Sequence, residues 1–283
     1  MESQKLLGLV KGKLPSNSET LESLGIKSSA RVRLIGTRKA DQLRSMTSAL
    51  DESDSYNLPA INDSDCLDAT CSQMPVVVSN YKKKLDKVIG ETKVQVINPP
   101  RPGRKLLVLD LDFTLLDCNP HSGNMMNMAR PGLHDFLTAT YEYYDFIVWS
   151  QTNWVVLESK MTILGMLTHP SYRIVTALDA STMISVRSLR GEKEVSHHVK
   201  ALEIIWTWFS QIYDHKNTVH VDDLDRNFAL NWQNGLKIRP YKRSSLRAHK
   251  DKELGKLAQY LLLIAELDSF ENLDHSQWRS YQL

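Results

Sequence analysis

Two aspartates one residue apart, Asp110 and Asp112, stand directly after an apolar run and open the segment Asp110-Leu111-Asp112-Phe113-Thr114. A carboxylate at the end of a strand can attack phosphorus and carry the phosphoryl group as an aspartyl-phosphate. A second carboxylate two positions on can protonate the leaving oxygen and then take a proton from the hydrolytic water. Taken alone, Asp-x-Asp after a strand is equally a capped turn. Farther along, Asp222 and Asp223 close another apolar run. Three or four neighbouring anions cannot all stay ionised without a cation. Mg²⁺ would answer, because it is a hard ion that takes oxygen ligands and also binds phosphate. Ser150 ends a third apolar run and offers a hydroxyl to a non-bridging phosphoryl oxygen, while Lys200 offers positive charge to the transition state. This ordered set of nucleophile, acid/base, hydroxyl, lysine and acidic pair outweighs the capped-turn reading.

Such residues need elements that gather them. Residues 105–110 (KLLVLD), 145–150 (DFIVWS), 172–179 (YRIVTALD) and 218–223 (TVHVDD) read as strands, each apolar and ending in a polar residue. Residues 131–144 read as a helix with Pro131 at its first position, and with Leu133, Phe136, Leu137, Thr140, Tyr141 and Tyr144 on one face. Residues 154–167 and 199–213 are similarly amphipathic, the latter placing Lys200 at a helix start. Strands alternating with helices imply an α/β fold with a mostly parallel sheet covered on both faces. In such sheets ligands bind at the carboxyl ends of the strands, where Asp110, Ser150, Asp222 and Asp223 stand. Helices and strands already occupy the gaps from Asp110 to Ser150 and from Ser150 to Lys200. Residues 115–129 leave room for a small flap but not for a large cap. An uncapped site suits phosphate on a macromolecule better than a small metabolite.

The chain has 283 residues, 42% of them hydrophobic, a length that suggests two domains. No stretch approaches the roughly 18–20 apolar residues of a membrane span, and the first residues carry no signal or transit pattern. Three cysteines, Cys66, Cys71 and Cys118, are too few for a disulfide scaffold and point to a reducing compartment. A net charge of +2 argues against wholesale nucleic-acid binding. The charge is unevenly spread. Residues 41–80 hold seven acidic residues against Arg44 alone, are rich in Ser, Asp and Asn, and read as a flexible linker. Asn98-Pro99-Pro100-Arg101-Pro102-Gly103 marks a boundary before the main domain.

Several other features carry less. Cys118 lacks the arginine that a cysteine phosphatase needs six residues on, and reads as an ordinary buried thiol. Cys66 and Cys71 have no histidine nearby, so zinc is not supported. His197 and His198 read as a loop pair whose side chains diverge. Trp206 and Phe209 fit a core, with Trp208 as a surface anchor. Residues 237–252 contain seven basic residues against Asp251. That run reads first as a solvated face, with a track for an acidic or multiply phosphorylated substrate, or a nuclear-import patch, as the functional alternatives. Nucleotide-cradle and serine-hydrolase motifs are absent.

The catalytic segments resemble the haloacid-dehalogenase-type phosphatases, in the FCP/SCP branch that dephosphorylates the C-terminal domain of RNA polymerase II. The branch hallmark Asp-x-Asp-x-Thr is matched by Asp110, Asp112 and Thr114. Arg130-Pro131-Gly132-Leu133-His134-Asp135-Phe136-Leu137, Val148-Trp149-Ser150, Asp222-Asp223, Arg226-Asn227-Phe228 and Asn234-Gly235-Leu236-Lys237-Ile238-Arg239-Pro240 extend it. The resemblance implies a Rossmann-like parallel sheet without a large cap over residues 81–283, its core starting near residue 104. It implies Asp110 as nucleophile, Asp112 as acid/base, and Ser150 and Lys200 as phosphate contacts. The implied Mg²⁺ ligands are Asp110, the main-chain carbonyl of Asp112, and Asp223, with Asp222 in support. Two residues depart from the pattern: Ala201 replaces a proline after the motif lysine, and Asp225 replaces a glycine, adding an acidic group near the metal.

Residues 4–13 and 20–35 resemble the second half of a ubiquitin (β-grasp) fold, without its first hairpin and main helix. The expected organisation is a partial ubiquitin-like segment over 1–38, an acidic linker over 39–80, and the phosphatase domain. Such a half-domain is expected to fold poorly and to bind its partners weakly. By resemblance the setting is the nucleus, the substrate a phosphoprotein, and the docking partner the proteasome's regulatory particle, with no nucleic acid or membrane involved. A non-catalytic phosphoprotein-binding module and a small-metabolite phosphatase are the rival readings.

Overall fold

The computed structural model describes residues 5–7, 33–35, 76–77, 81–118, 128–190, 193–245 and 248–281. The chain divides into two units, Met1–Tyr56 and Asn57–Leu283. In the first, β1 (Lys5–Leu7) pairs antiparallel with β2 (Arg33–Ile35), Lys5 facing Ile35. The remainder of the expected ubiquitin-like segment lies outside the described residues, as do residues 39–75 and 78–80 of the expected linker, including Cys66 and Cys71.

The second unit is built on a five-stranded sheet whose neighbours are all parallel. Its strands are β4 (Lys105–Leu109), β5 (Tyr144–Trp149), β6 (Ile174–Leu178), β9 (Thr218–Asp222) and β10 (Gly235–Lys237). They run in the order β10-β9-β4-β5-β6. From β4 the chain winds outward through β5 to β6, then returns to the other side of β4 for β9. The winding direction therefore reverses between β4 and β9, and there the following loops part to leave a crevice.

Period-two alternation decides which face each strand residue covers. Leu107 and Leu109 of β4 belong to one buried cluster, Leu106 and Val108 to the other. The first cluster takes in α2 (Leu133–Thr140), α3 (Trp154–Ile163) and α5 (Glu253–Ile264), through residues such as Phe136, Leu157 and Leu261. The second takes in α1 (Tyr81–Glu91) through Leu85 and α4 (Glu203–Trp208) through Ile204 and Ile205. Trp208 is not a free surface anchor, since its indole N–H reaches the Ile89 carbonyl at 3.4 Å and joins α4 to α1.

Other expectations shift for local reasons. The helix expected over 131–144 begins only at Leu133, because Gly132 holds a left-handed φ of 79°. Tyr144 belongs to β5, opposite Lys105. The helix expected to run to residue 167 ends at Ile163, and Gly165, at φ 69°, turns the chain away. The helix expected from residue 199 begins only at Glu203, and a hairpin precedes it. Strands β7 (Ile184–Arg190) and β8 (Lys193–Val199) pair antiparallel, and His197 and His198 are strand residues. Lys200 thus follows a strand and does not start a helix. A further strand, β3 (Val76–Val77), pairs with β7 inside the stretch expected to be a linker. The sequence gaps between the site residues hold these elements and no large cap among the described residues. The tip of the expected flap, residues 119–127, lies outside them, while Leu116 and Ala129 bridge antiparallel at its base.

Against α5, the Tyr260 hydroxyl lies 2.7 Å from Nδ1 of buried His275. Burial pushes the His275 imidazole down to about 4, with Asp274 opposing. A depressed folded pKa gives stability that is present above the unfolded value of 6.5 and is lost as pH falls toward 4. Urea unfolding at pH 7 and pH 5 should show His275 contributing about 2 kcal/mol of acid-side loss, absent from His275→Gln. Equal losses in the two proteins would contradict this.

Candidate active site

At the carboxyl end of β4, the Asp110 amide donates to the Val221 carbonyl of β9 at 2.9 Å, which fixes the nucleophile candidate against the neighbouring strand. Asp222, the last residue of β9, and Asp223 then lie across the switch-point crevice from it. Oxygens of Asp110, Asp222 and Asp223 fall within 4.8 Å of one another, and all three residues are buried. Lys200, with no exposed surface, reaches between them. Its Nζ donates to Asp110 Oδ1 at 2.5 Å and to Asp222 Oδ2 at 2.6 Å. Its own amide, 3.3 Å from the Asn227 carbonyl, anchors the loop that carries it.

Asp222 is saturated with donors. Besides Lys200 it accepts from Asn227 Nδ2 at 2.8 Å and from the Leu224 amide at 2.9 Å, and His220 Nε2 stands 3.5 Å away. Burial alone would raise its carboxyl, but the Lys200 charge and His220 outweigh burial and hold it well below the usual range. Asp110 goes the other way. Burial pushes its carboxyl well above the ordinary carboxylate range, Asp222 reinforces the shift, and Lys200 only partly opposes it. Lys200 is raised, because its two carboxylate partners overcome the burial that would lower it.

Asp112 occupies a separate arm of the site, on the β5 side. Ser150, just past β5, donates from Oγ to Asp112 Oδ2 at 2.9 Å, and Thr152 Oγ1 lies 2.9 Å from the same hydroxyl. Lys160 of α3 forms an ion pair with Asp112 Oδ1. Asn153 caps that helix by accepting from the Val156 amide at 3.1 Å, which sets where Lys160 points. Burial would raise the Asp112 carboxyl, but the Lys160 charge and the bonds from Lys160 and Ser150 hold it below the usual range.

Thr114 is buried, but its hydroxyl makes no hydrogen bond. Its carbonyl instead accepts from Arg130 Nη1 at 3.0 Å, so the residue is tied to the site through its backbone. Between Asp112 and Thr114, Phe113 takes the left-handed φ of 56°, which turns the chain sharply after the first aspartate pair. Asp225 does not join the acidic cluster as expected, and is 3.0 Å from Lys237 Nζ. Burial and the Asp112 charge push the Cys118 thiol up, so it stays an unreactive, half-buried thiol.

Four carboxylates thus face two ammonium groups in one crevice. The donor set of the β9 arm is all oxygen, and Asp110 is raised by burial and by the neighbouring carboxylates. That is the environment a hard divalent cation fits.

Residues 105–271 match the family of NLI interacting factor-like phosphatases, more than half of the 283-residue chain. The chain belongs to that family. Proteins of Rattus norvegicus and Homo sapiens, both named ubiquitin-like domain-containing CTD phosphatase 1, are 44% and 43% identical to it over 99% of this chain and 85% of theirs. The Danio rerio protein of that name is 40% identical over the same shares. A solved fission yeast RNA polymerase II CTD phosphatase aligns with a TM-score of 0.41 and 16% identity, over 70% of this chain and 68% of that one. As an NLI interacting factor-like phosphatase closely related to CTD phosphatases, the chain is a protein phosphatase. The family resemblance drawn from Asp110, Asp112 and Thr114 is borne out.

Sequence reading of this phosphatase missed Lys160, His220 and Arg130. Each did leave a signal. Lys160 falls on the buried stripe Val156, Leu157, Lys160, Met161 of α3, where an unpaired lysine would be costly. His220 interrupts an otherwise apolar inner strand. Because Lys200 compensates two buried carboxylates, Lys200→Met should lower the unfolding free energy by about 3–5 kcal/mol in metal-free urea titrations. An unchanged midpoint and slope would contradict the geometry.

Proposed function

We propose that the chain is a Mg²⁺-dependent protein serine/threonine phosphatase working through an aspartyl-phosphate on Asp110. The observation that carries this reading is the division of the crevice. One carboxylate, Asp110, is held within a cation-demanding cluster. Another, Asp112, is oriented independently by Ser150 and Lys160. Nucleophile and acid/base thereby have different surroundings, as two-step phosphoryl transfer requires.

Asp110 and Asp223, with the main-chain carbonyl of Asp112, would hold Mg²⁺, whose charge offsets that of the phosphoryl oxygens. Asp222 supports them by fixing Lys200. An Asp110 oxygen forms the bond to phosphorus as the seryl or threonyl oxygen leaves, taking a proton from Asp112. Water then attacks the aspartyl-phosphate, giving its proton to Asp112, and inorganic phosphate is released with Asp110 restored. The charged form of Asp112 favoured by Lys160 serves the second step. The acid form needed for the first is favoured by the dianion of a bound phosphate beside it. Ser150 and Lys200 supply donors to the phosphoryl oxygens.

The relatives' name, CTD phosphatase, and the Asp-x-Asp-x-Thr resemblance support substrates of the RNA polymerase II C-terminal-domain type. The family resemblance alone extends this to phosphorylated proteasome subunits as substrates, a nuclear setting, and docking to the proteasome regulatory particle through a ubiquitin-like segment over 1–38, joined by the acidic stretch 39–80.

Hydrolysis of p-nitrophenyl phosphate and of a phosphoserine peptide, with Mg²⁺ or with EDTA, tests the reading. Both should be turned over with Mg²⁺ only, and Asp110→Asn should lose at least about 10³-fold. Full activity in Asp110→Asn sinks the mechanism. Turnover of sugar phosphates without phosphopeptides transfers the chain to small-metabolite chemistry, and no turnover at all leaves a phosphoprotein-binding module. Lys160→Met should separate the substrates. Loss of the oriented carboxyl costs about 10²-fold on phosphoserine, whose leaving group needs a proton, and less on p-nitrophenyl phosphate, which loses only what Asp112 does in the shared second step. Equal losses on both would mean that Lys160 does not serve the leaving-group proton.

A further inference from the structure

The basic run 237–252 lies far in sequence from Asp110, but the fold brings its middle onto the catalytic loop. The Tyr241 amide donates to the Phe113 carbonyl at 2.6 Å, and the Arg243 amide to Asp117 Oδ2 at 2.8 Å. Arg130, fully buried, braces the same contact. It donates to the Thr114 carbonyl at 3.0 Å and pairs with Asp251 at 3.0 Å, its guanidinium 5.5 Å from the Tyr241 ring centre. The run is therefore seated on the loop that carries Asp112.

These contacts also change its charge. Asp251, its one acidic residue, is consumed by Arg130, and Lys237 is consumed by Asp225. Lys242 is exposed and makes no ion pair among the described residues, while its Nζ stands 5.8 Å from the centre of the Phe113 ring. Phe113 is the residue between Asp112 and Thr114, so this ammonium stands over the loop that carries Asp112. Lys250 and Lys252, both exposed, continue the positive surface. A solvated face needs no such anchoring.

We propose that Lys242, above Phe113, forms a subsite for an anionic group flanking the phosphorylated residue, either an acidic side chain or a second phosphate on the same peptide. The inference rests on the protein-phosphatase reading and specifies its substrate. An extended peptide advances about 3.3–3.6 Å per residue, so a subsite over the loop next to Asp112 is in reach of positions flanking the scissile phosphate. The phosphate itself enters a crevice rich in carboxylates, and a positive rim offsets the repulsion that an acidic peptide meets on approach.

The experiment compares phosphoserine peptides that are identical except for Ala, Glu or Lys at the two positions on either side. The full chain should favour Glu over Ala by about three- to tenfold in kcat/KM at low salt, with the preference shrinking as salt rises. Lys242→Ala should erase the preference and Lys242→Glu should turn it toward Lys, both leaving p-nitrophenyl phosphate hydrolysis unchanged. Equal rates on the Glu and Ala peptides, or a preference that survives Lys242→Glu, would falsify the subsite. Failure to turn over even p-nitrophenyl phosphate would strike the phosphatase reading instead. In that case fluorescence anisotropy of the same peptides on the Asp110→Asn chain, with and without Lys242→Glu, decides the subsite by binding alone.

Discussion

Everything at the crevice depends on keeping three buried carboxylates within reach of one another. Two like charges about 4 Å apart repel by about 4 kcal/mol at an effective dielectric of 20, and a third multiplies the cost. Lys200 relieves part of it by standing between Asp110 and Asp222, and the donors around Asp222 relieve more. What remains falls on Asp110. The cluster is consequently not self-sufficient, and its residual repulsion is one that a cation could offset.

The fold supplies the rigidity that this arrangement needs. Asp110 and Asp222 end adjacent parallel strands in register, with Leu109 paired to Val221 just inside the crevice. The alternating residues of β4 are locked into two different hydrophobic clusters, so the strand cannot slip without moving leucines and valines from one core to the other. At the opposite end of the sheet, buried Asp145 accepts from Arg101 at 2.6 Å and from the Tyr213 hydroxyl at 2.6 Å. It is as buried as Asp110 but fully compensated, and it serves only to tie the segment before β4 to β5.

The candidate aspartates Asp110, Asp222 and Asp223 were legible because each stands where an apolar run stops on a polar residue, with Asp112 two positions beyond Asp110. Ser150 was legible for the same reason. Lys160 and His220 were not, since they occupy apolar positions of regular elements and their partners lie on other elements. The hairpin β7–β8 escaped because Arg187, Ser188, Lys193, Glu194, Ser196, His197 and His198 give it little apolar alternation, and it is defined by strand pairing. Helix ends shifted where Gly132 and Gly165 impose backbone angles that side-chain periodicity does not register. The position of the basic run beside Phe113 was invisible for a similar reason: it is created by the Tyr241 and Arg243 amides, which donate to the Phe113 carbonyl and the Asp117 carboxylate, and backbone amides carry no sequence label.

The separation of Asp112 from the other three aspartates has a bearing on the order in which the crevice fills. Asp112 is paired with Lys160 in one arm, whereas in the other, oxygens of Asp110, Asp222 and Asp223 gather within 4.8 Å of one another and Lys200 bonds to Asp110 and Asp222. A phosphate dianion entering beside those three carboxylates would meet their repulsion, and a cation held there would offset it. A cation entering first would thus turn a repelling pocket into a receiving one, so the charge layout of the strand ends favours metal before phosphoester.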